Sequence, residues 1–114
     1  MTGSPRSGRP FASLRNPEVR KVRRTGSRRR VGGIVVFDAA GSPGPPRVAV
    51  TADRRVGGAV VRYRAKRRLR EAIALAPMRA GREYVVVADH SVVEVPFSEL
   101  TGWVTAAVDV EEER

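Results

Sequence analysis

Between Arg62 and Arg70 the chain places six basic side chains ahead of Glu71, the first acid of the stretch. The same stretch sets Val61, Ala65, Leu69, Ala72 and Ala76 on one stripe of a helix turning by about 100° per residue. A helix of this kind must bury its stripe against another layer and keep its cations in water. Arg62 and Lys66 flank the stripe on one side, Arg64 and Arg68 on the other. Arg67 and Arg70 point away from it, and Tyr63 shares that far face. Guanidinium is planar and forked, so it grips phosphate bidentately and stacks on bases. Most charge runs are solvated faces of mixed sign. A run without acids instead points to a polyanion, nucleic acid first.

The residues before this helix extend the same chemistry. Val48-Ala49-Val50-Thr51 reads as a strand that runs into a basic corner, Asp53-Arg54-Arg55. Arg54 and Arg55 enlarge the cationic surface. Gly57-Gly58 opens a helix expected over 58–76, which Pro77 ends because proline lacks the amide donor. A glycine pair at a helix start suits a backbone phosphate, with Gly57 the candidate. It lacks the lysine pattern of a nucleotide-binding loop.

Charge is distributed unevenly. The net charge is +10 over 114 residues, but residues 1–30 carry ten basic groups against one acid, residues 31–82 eleven against three, and residues 83–114 one against eight. The binding surface therefore belongs to the first two thirds. With aromatics at 5%, the core must be aliphatic. The length suits one domain. We expect a disordered basic arm over 1–12, a single nucleic-acid-binding domain over 13–108 and an acidic tail over 109–114. There is no cysteine, which excludes disulfides and thiolate chemistry and suits the cytoplasm. No apolar run approaches a membrane span, so no membrane partner is expected.

The remaining elements follow in order. Asn16-Pro17-Glu18 reads as a helix start with Asn16 as cap, and the helix runs to about Arg24 with Leu14, Val19 and Val22 inward. Ser27–Arg30 reads as a short edge strand, and Gly33–Phe37 as a buried one. Residues 39–46 form an exposed hairpin connection, which would make the strand over 47–52 antiparallel to its predecessor. Glu83–Ala88 is a central strand, and a final helix over 96–108 turns Phe97, Leu100, Val104 and Ala107 inward, with Trp103 near that face. The class is α+β: a four-stranded sheet, the Arg-rich helix on a parallel crossover, and helices at both ends. General statistics make such crossovers right-handed.

The stretch from Arg47 to Glu71 resembles the protein subunit of bacterial ribonuclease P. That family carries a pattern like R-V-G-(I/L)-S-V-S-K-K-V-G-N-A-V-x-R-N-R-x-K-R-x-(L/I)-R-E. Arg47, Val48, Val56, Gly57, Ala59, Val60, Arg62, Arg64, Lys66, Arg67, Leu69, Arg70 and Glu71 match in register over about 25 residues. Arg54 and Arg55 replace two lysines, Tyr63 the central asparagine, Gly58 another asparagine and Asp53 a serine. The first helix resembles (N)-x-x-F-x-x-V-(F/Y)-x-x-G, with Val19 and Arg23 where the family has aromatics.

The resemblance implies a left-handed crossover and a role in removing the 5′ leader from precursor tRNA. It implies that a partner RNA carries catalysis with Mg2+, so this chain would have no catalytic residues and require no protein partner. Arg62, Tyr63, Arg64, Lys66, Arg67, Arg68 and Arg70 would bind the catalytic RNA, with Arg54, Arg55 and Gly57 beside them. Val19, Arg23 and Phe37 would line a cleft for the leader.

Nothing in the sequence suggests protein-based catalysis. His90 is the only histidine, and Asp89-His90-Ser91 is no triad, because triads are assembled by the fold and not by adjacency. Two other classes share the basic helix. A general or ribosome-associated RNA-binding protein would differ only in RNA selectivity. A DNA reader would need Asn or Gln on the helix face, and this face has neither.

Overall fold

Alternating apolar residues set the strands, and which strand is apolar on both faces sets their order. A computed structural model describes residues 11–109. In chain order it contains β1 (Ala12–Ser13), α1 (Asn16–Thr25), β2 (Ser27–Val31), β3 (Ile34–Ala40), β4 (Arg47–Ala52), a 3₁₀ turn (Arg54–Val56), α2 (Ala59–Ala74), β5 (Arg82–Ala88), a second 3₁₀ turn (His90–Val93) and α3 (Phe97–Val108). The class is α+β, as expected. The arm and tail set apart in the sequence fall mostly outside the described residues.

The sheet order is β1-β4-β5-β3-β2. β5 runs parallel to β4, from Arg47↔Glu83 to Ala52↔Ala88, and antiparallel to β3, from Ile34↔Ala88 to Ala40↔Arg82. The expected hairpin neighbours β3 and β4 therefore do not touch as strands. β5 lies between them because it is apolar on both faces. Tyr84 and Val86 point into one layer and Val85 into the other, all fully buried. A strand of that kind belongs at the centre of a sheet. Residues 41–46 are accordingly not a hairpin but a connection across the end of β5. It is held there by Gly41 N–H on the Gly81 carbonyl and Gly81 N–H on the Gly44 carbonyl, each 2.8 Å.

The sheet has five strands, not four. β1 pairs in parallel with β4 through Ala12 N–H to the Pro46 carbonyl (2.9 Å) and Leu14 N–H to the Val48 carbonyl (3.3 Å). Two residues are too few to leave a periodic pattern. β3 also runs three residues further than expected, into Ala40.

One sheet face packs on α2 and α3. Ile34, Val36, Val48, Tyr84 and Val86 meet Ala65, Leu69, Ala72 and Ile73 of α2 and Leu100, Val104 and Ala107 of α3. The other face carries Val35, Phe37, Ala49, Val85 and Val87. α1 covers only part of it, through Val19 and Val22 with Leu14 just ahead of the helix. The uncovered part becomes a cleft.

The helix ends differ from expectation by one or two residues. Arg15, not Asn16, occupies the cap position of α1, because the Glu18 carboxylate reaches back to accept the Arg15 N–H at 2.9 Å. α2 stops at Ala74. Leu75 and Ala76 close the turn by donating to the Ala72 and Ile73 carbonyls, and Pro77 follows. Trp103 is half-buried on α3 against the turn between β2 and β3. There Gly32 has φ 55°, and a Cβ would lie 2.1 Å from the indole.

Candidate nucleic-acid interface

The α2 stripe buries Ala65, Leu69, Ala72 and Ile73, which turns the opposite face to water. Arg64 and Arg67 are exposed there, Lys66 and Arg70 half-buried, and Tyr63 is 62% exposed. Arg64, Lys66 and Arg70 make no hydrogen bond or ion pair among the described residues. Arg67 Nε donates to Glu71 Oε2 at 3.3 Å.

Two cations expected on this surface are engaged inside the fold. Arg62 Nη1 donates to the Gly57 carbonyl at 3.0 Å and steadies the first turn. Arg68 donates to the Val92 carbonyl at 3.0 Å and the Val95 carbonyl at 2.7 Å, tying α2 to the segment between β5 and α3. Five donors in a fixed fork suit this double acceptor. Its role depends on where residues 92–95 lie, which helix spacing does not reveal.

The corner before α2 is a built turn. Asp53 Oδ1 accepts the Arg55 N–H at 2.9 Å, and the guanidinium of Arg55 stands 3.4 Å from Asp53 Oδ2. Arg54 and Arg55 are both exposed. Gly57 N–H donates to the Arg54 carbonyl at 3.2 Å, so the amide expected to meet a phosphate is used within the turn. With φ 148°, and with a Cβ position only 2.9 Å from Val61 Cβ, Gly57 instead lets the chain swing into α2.

On the opposite sheet face lies the cleft, about 370 Å³, floored by Val35, Phe37 and Val87. Arg23 of α1 forms one wall, with its guanidinium 5.2 Å from the centroid of the Phe37 ring. Register supplies a second wall. Arg28 pairs with Phe37 and Arg30 with Val35, and paired residues share a face, so both arginines border the cleft. Arg29 points the other way and donates to the Ala107 carbonyl at the end of α3, 3.2 Å. Asp53, Arg55, Asp89 and His90 close the rim. Arg30 stands 3.5 Å from Asp89, and His90 Nδ1 3.4 Å from Glu94 Oε2.

Of the expected cleft residues, Arg23 and Phe37 meet here. Val19, one turn earlier, lines a different groove beside β4 with Phe11, Asn16, Thr51 and Arg70. Arg28 and Arg30 are not singled out by local sequence. Their signal was the period of two across Ser27–Val31, which sorts three consecutive arginines onto two faces once β3 is beside them.

α1 is anchored where it walls the cleft. The Glu18 carboxylate, which accepts the Arg15 N–H, also takes Arg47 Nη2 at 2.9 Å. The backbone hydrogen bond, more than the guanidinium, holds its pKa below the usual value. Among the described residues no helix is long and apolar enough to cross a membrane. No group of three or more His, Cys, Asp or Glu side chains among them is placed to hold a metal ion.

The model of the family Ribonuclease P matches residues 13–110. The chain belongs to that family. A ribonuclease P protein component of Symbiobacterium thermophilum is 50% identical over 58 residues, covering 49% of this chain and 50% of its own. One from Brucella suis is 38% identical over 80 residues, covering 68% and 57%. The matched region thus spans little more than half the length of these curated relatives. Among solved structures, the ribonuclease P protein of Thermotoga maritima superposes with a TM-score of 0.77 at 19% identity, over 88% of this chain and 98% of that one. That of Staphylococcus aureus gives 0.73 at 15%, over 85% and 92%. At such identities the likeness shows the ribonuclease P protein fold and leaves residue roles to the chemistry of this chain.

Proposed function

We propose that this chain is the protein subunit of a cytoplasmic ribonuclease P ribonucleoprotein. It would assist its RNA partner in removing the 5′ leader of precursor tRNA by endonucleolytic hydrolysis. The observation that carries this reading is the presence of two cationic surfaces on opposite sides of one sheet. The outer face of α2 offers Arg64, Lys66 and Arg70 without partners among the described residues, and the cleft offers Arg23, Arg28 and Arg30 over an apolar floor.

One surface is for the catalytic RNA and the other for the leader. A single strand fits the cleft because Arg28 and Arg30 lie on one face of a strand, about 6.6 Å apart along it. That is close to the spacing of successive phosphates in an extended chain. With Arg23 over Phe37, a base meets a guanidinium plane before it meets a ring. Holding the leader there aligns the precursor on the RNA, and neutralising phosphates lowers the demand for counterions. In such a complex the chemistry of Mg2+, activation of the attacking water, would be supplied on the RNA subunit. This chain has no grouped ligand set for it among the described residues.

Reconstitution tests the reading. The full chain is mixed with the same organism's catalytic RNA and a precursor tRNA at low magnesium, and release of the 5′ leader is followed. A large acceleration is expected. Unchanged cleavage with RNA binding intact would overturn the proposal in favour of a general or ribosome-associated RNA-binding protein.

A further inference from the structure

Along α2, Tyr63, Arg67, Arg70, Glu71 and Ala74 border a shallow groove of about 270 Å³ on the outer face. Its composition is unusual for a phosphate-gripping surface. It has an exposed aromatic residue in the middle of a cationic face, and the helix's lone acid. Electrostatic attraction to a sugar–phosphate backbone requires neither. The ring offers a stacking plane. Ala74, being small, leaves the notch open. Arg67 Nε engages Glu71 Oε2, which orients the carboxylate and leaves Oε1 and further lone pairs available. Arg70 has no ion-pair partner among the described residues.

We infer that this groove is a nucleobase site, and that it takes an unpaired guanosine of an RNA. The base stacks on Tyr63, and its N1–H and N2 amino group donate to the Glu71 carboxylate. Arg70 takes the adjoining phosphate. Guanine is selected because it is the base whose pairing edge presents two adjacent donors to a carboxylate. Adenine and uracil each place an acceptor there, and a carboxylate repels it. Arg67 balances the charge of Glu71, so the acid does not push the backbone away. The inference rests on reading α2 as an RNA-binding face, and it is independent of whether the complex cleaves tRNA.

Binding of the full chain to short unstructured RNAs tests it. Each RNA carries one guanosine, inosine or adenosine in an otherwise all-uridine strand, and fluorescence anisotropy at fixed salt gives the affinity. Guanosine should bind about tenfold more tightly than adenosine, the size of effect expected for one paired edge contact, with inosine between. Glu71→Gln should abolish the preference. Tyr63→Ala should weaken binding of the guanosine strand about tenfold, and Tyr63→Phe should leave it unchanged. All these side chains are exposed or half-buried, and circular dichroism verifies that each variant is folded. A 6-thioguanosine at the same position should photocrosslink to the peptide carrying Tyr63. Equal affinity for the three strands, a preference that survives Glu71→Gln, or a crosslink confined to the cleft would overturn the inference. Loss of all RNA binding by the unmodified chain would instead overturn the reading of α2 itself.

Discussion

The guanidinium of Arg23 lies 5.2 Å from the ring centroid of Phe37, so the one aromatic on the cleft floor is already covered by a cation. Such a contact contributes about 0.5–1 kcal/mol where solvent has access. Its larger effect is on recognition, because the cleft presents charge before it presents a stacking plane.

Arg23→Ala is therefore expected to change the salt dependence more than the base preference. Affinity of the intact chain for RNA should fall by orders of magnitude, roughly 10³ to 10⁵, between 50 and 200 mM salt if several phosphates are neutralised. Removing Arg23 should make the log–log slope shallower by about one. Binding titrations at four or five salt concentrations measure this. An unchanged slope would mean that Arg23 does not meet the backbone.

Arg68 and Arg64 sit four residues apart and should behave in opposite ways. Arg68→Ala leaves the Val92 and Val95 carbonyls without their charged donor and should cost about 2–3 kcal/mol of stability. Arg64→Ala should leave the urea midpoint within error and weaken RNA binding. Urea unfolding and RNA titration on both variants check the pair. Equal unfolding midpoints would refute the structural role of Arg68.

Gly32→Ala should be among the most damaging substitutions outside the buried core. Its φ of 55° is unfavourable for alanine, and the new methyl would lie 2.1 Å from the indole of Trp103. A loss of about 2 kcal/mol or more is expected. A shift in tryptophan emission should accompany it, because this chain has one tryptophan and that ring must move.

Acid should loosen α1 before the sheet. The pKa of Glu18 is lowered in the fold, first by the Arg15 N–H and then by Arg47. Its contribution is therefore present above the ordinary carboxylate range and lost as pH falls through the depressed value. Glu18→Gln should lower stability at neutral and alkaline pH, where the carboxylate contributes, and should therefore flatten the acid limb. A pH series of thermal melts on both proteins reads this. If the acid limbs coincide, Glu18 does not anchor the helix.

The parts legible in the sequence were those written in local periodicity. Ala65, Leu69 and Ala72 could be assigned inward, and Tyr63 and Arg67 outward, because helix geometry converts spacing into facing directly. β5 could be recognised as central from its unbroken apolar run. What stayed hidden depends on residues far apart in the chain. That β5 separates β3 from β4 is a matter of long-range pairing, and no turn signal in residues 39–46 records it. Arg68 looked like its neighbours because its acceptors lie 24 and 27 residues away. Arg28 and Arg30 looked like one block with Arg29 until pairing with β3 split them. The cap of α1 fell on Arg15 because Glu18 chose the register, a choice made by a side chain three residues on.

The strand at the middle of the sheet is also the last to be synthesised. Neither β3 nor β4 has its central partner until Arg82–Ala88 exists, and 21 of the 22 basic residues precede Glu83. Until then the β2–β3 and β1–β4 pairs have no strand to join them, while nearly all the cations are already in place. Eight of the twelve acids arrive only with β5 and the residues after it. The residues that close the sheet topologically and the acids that offset its cations therefore lie in the same stretch of the chain.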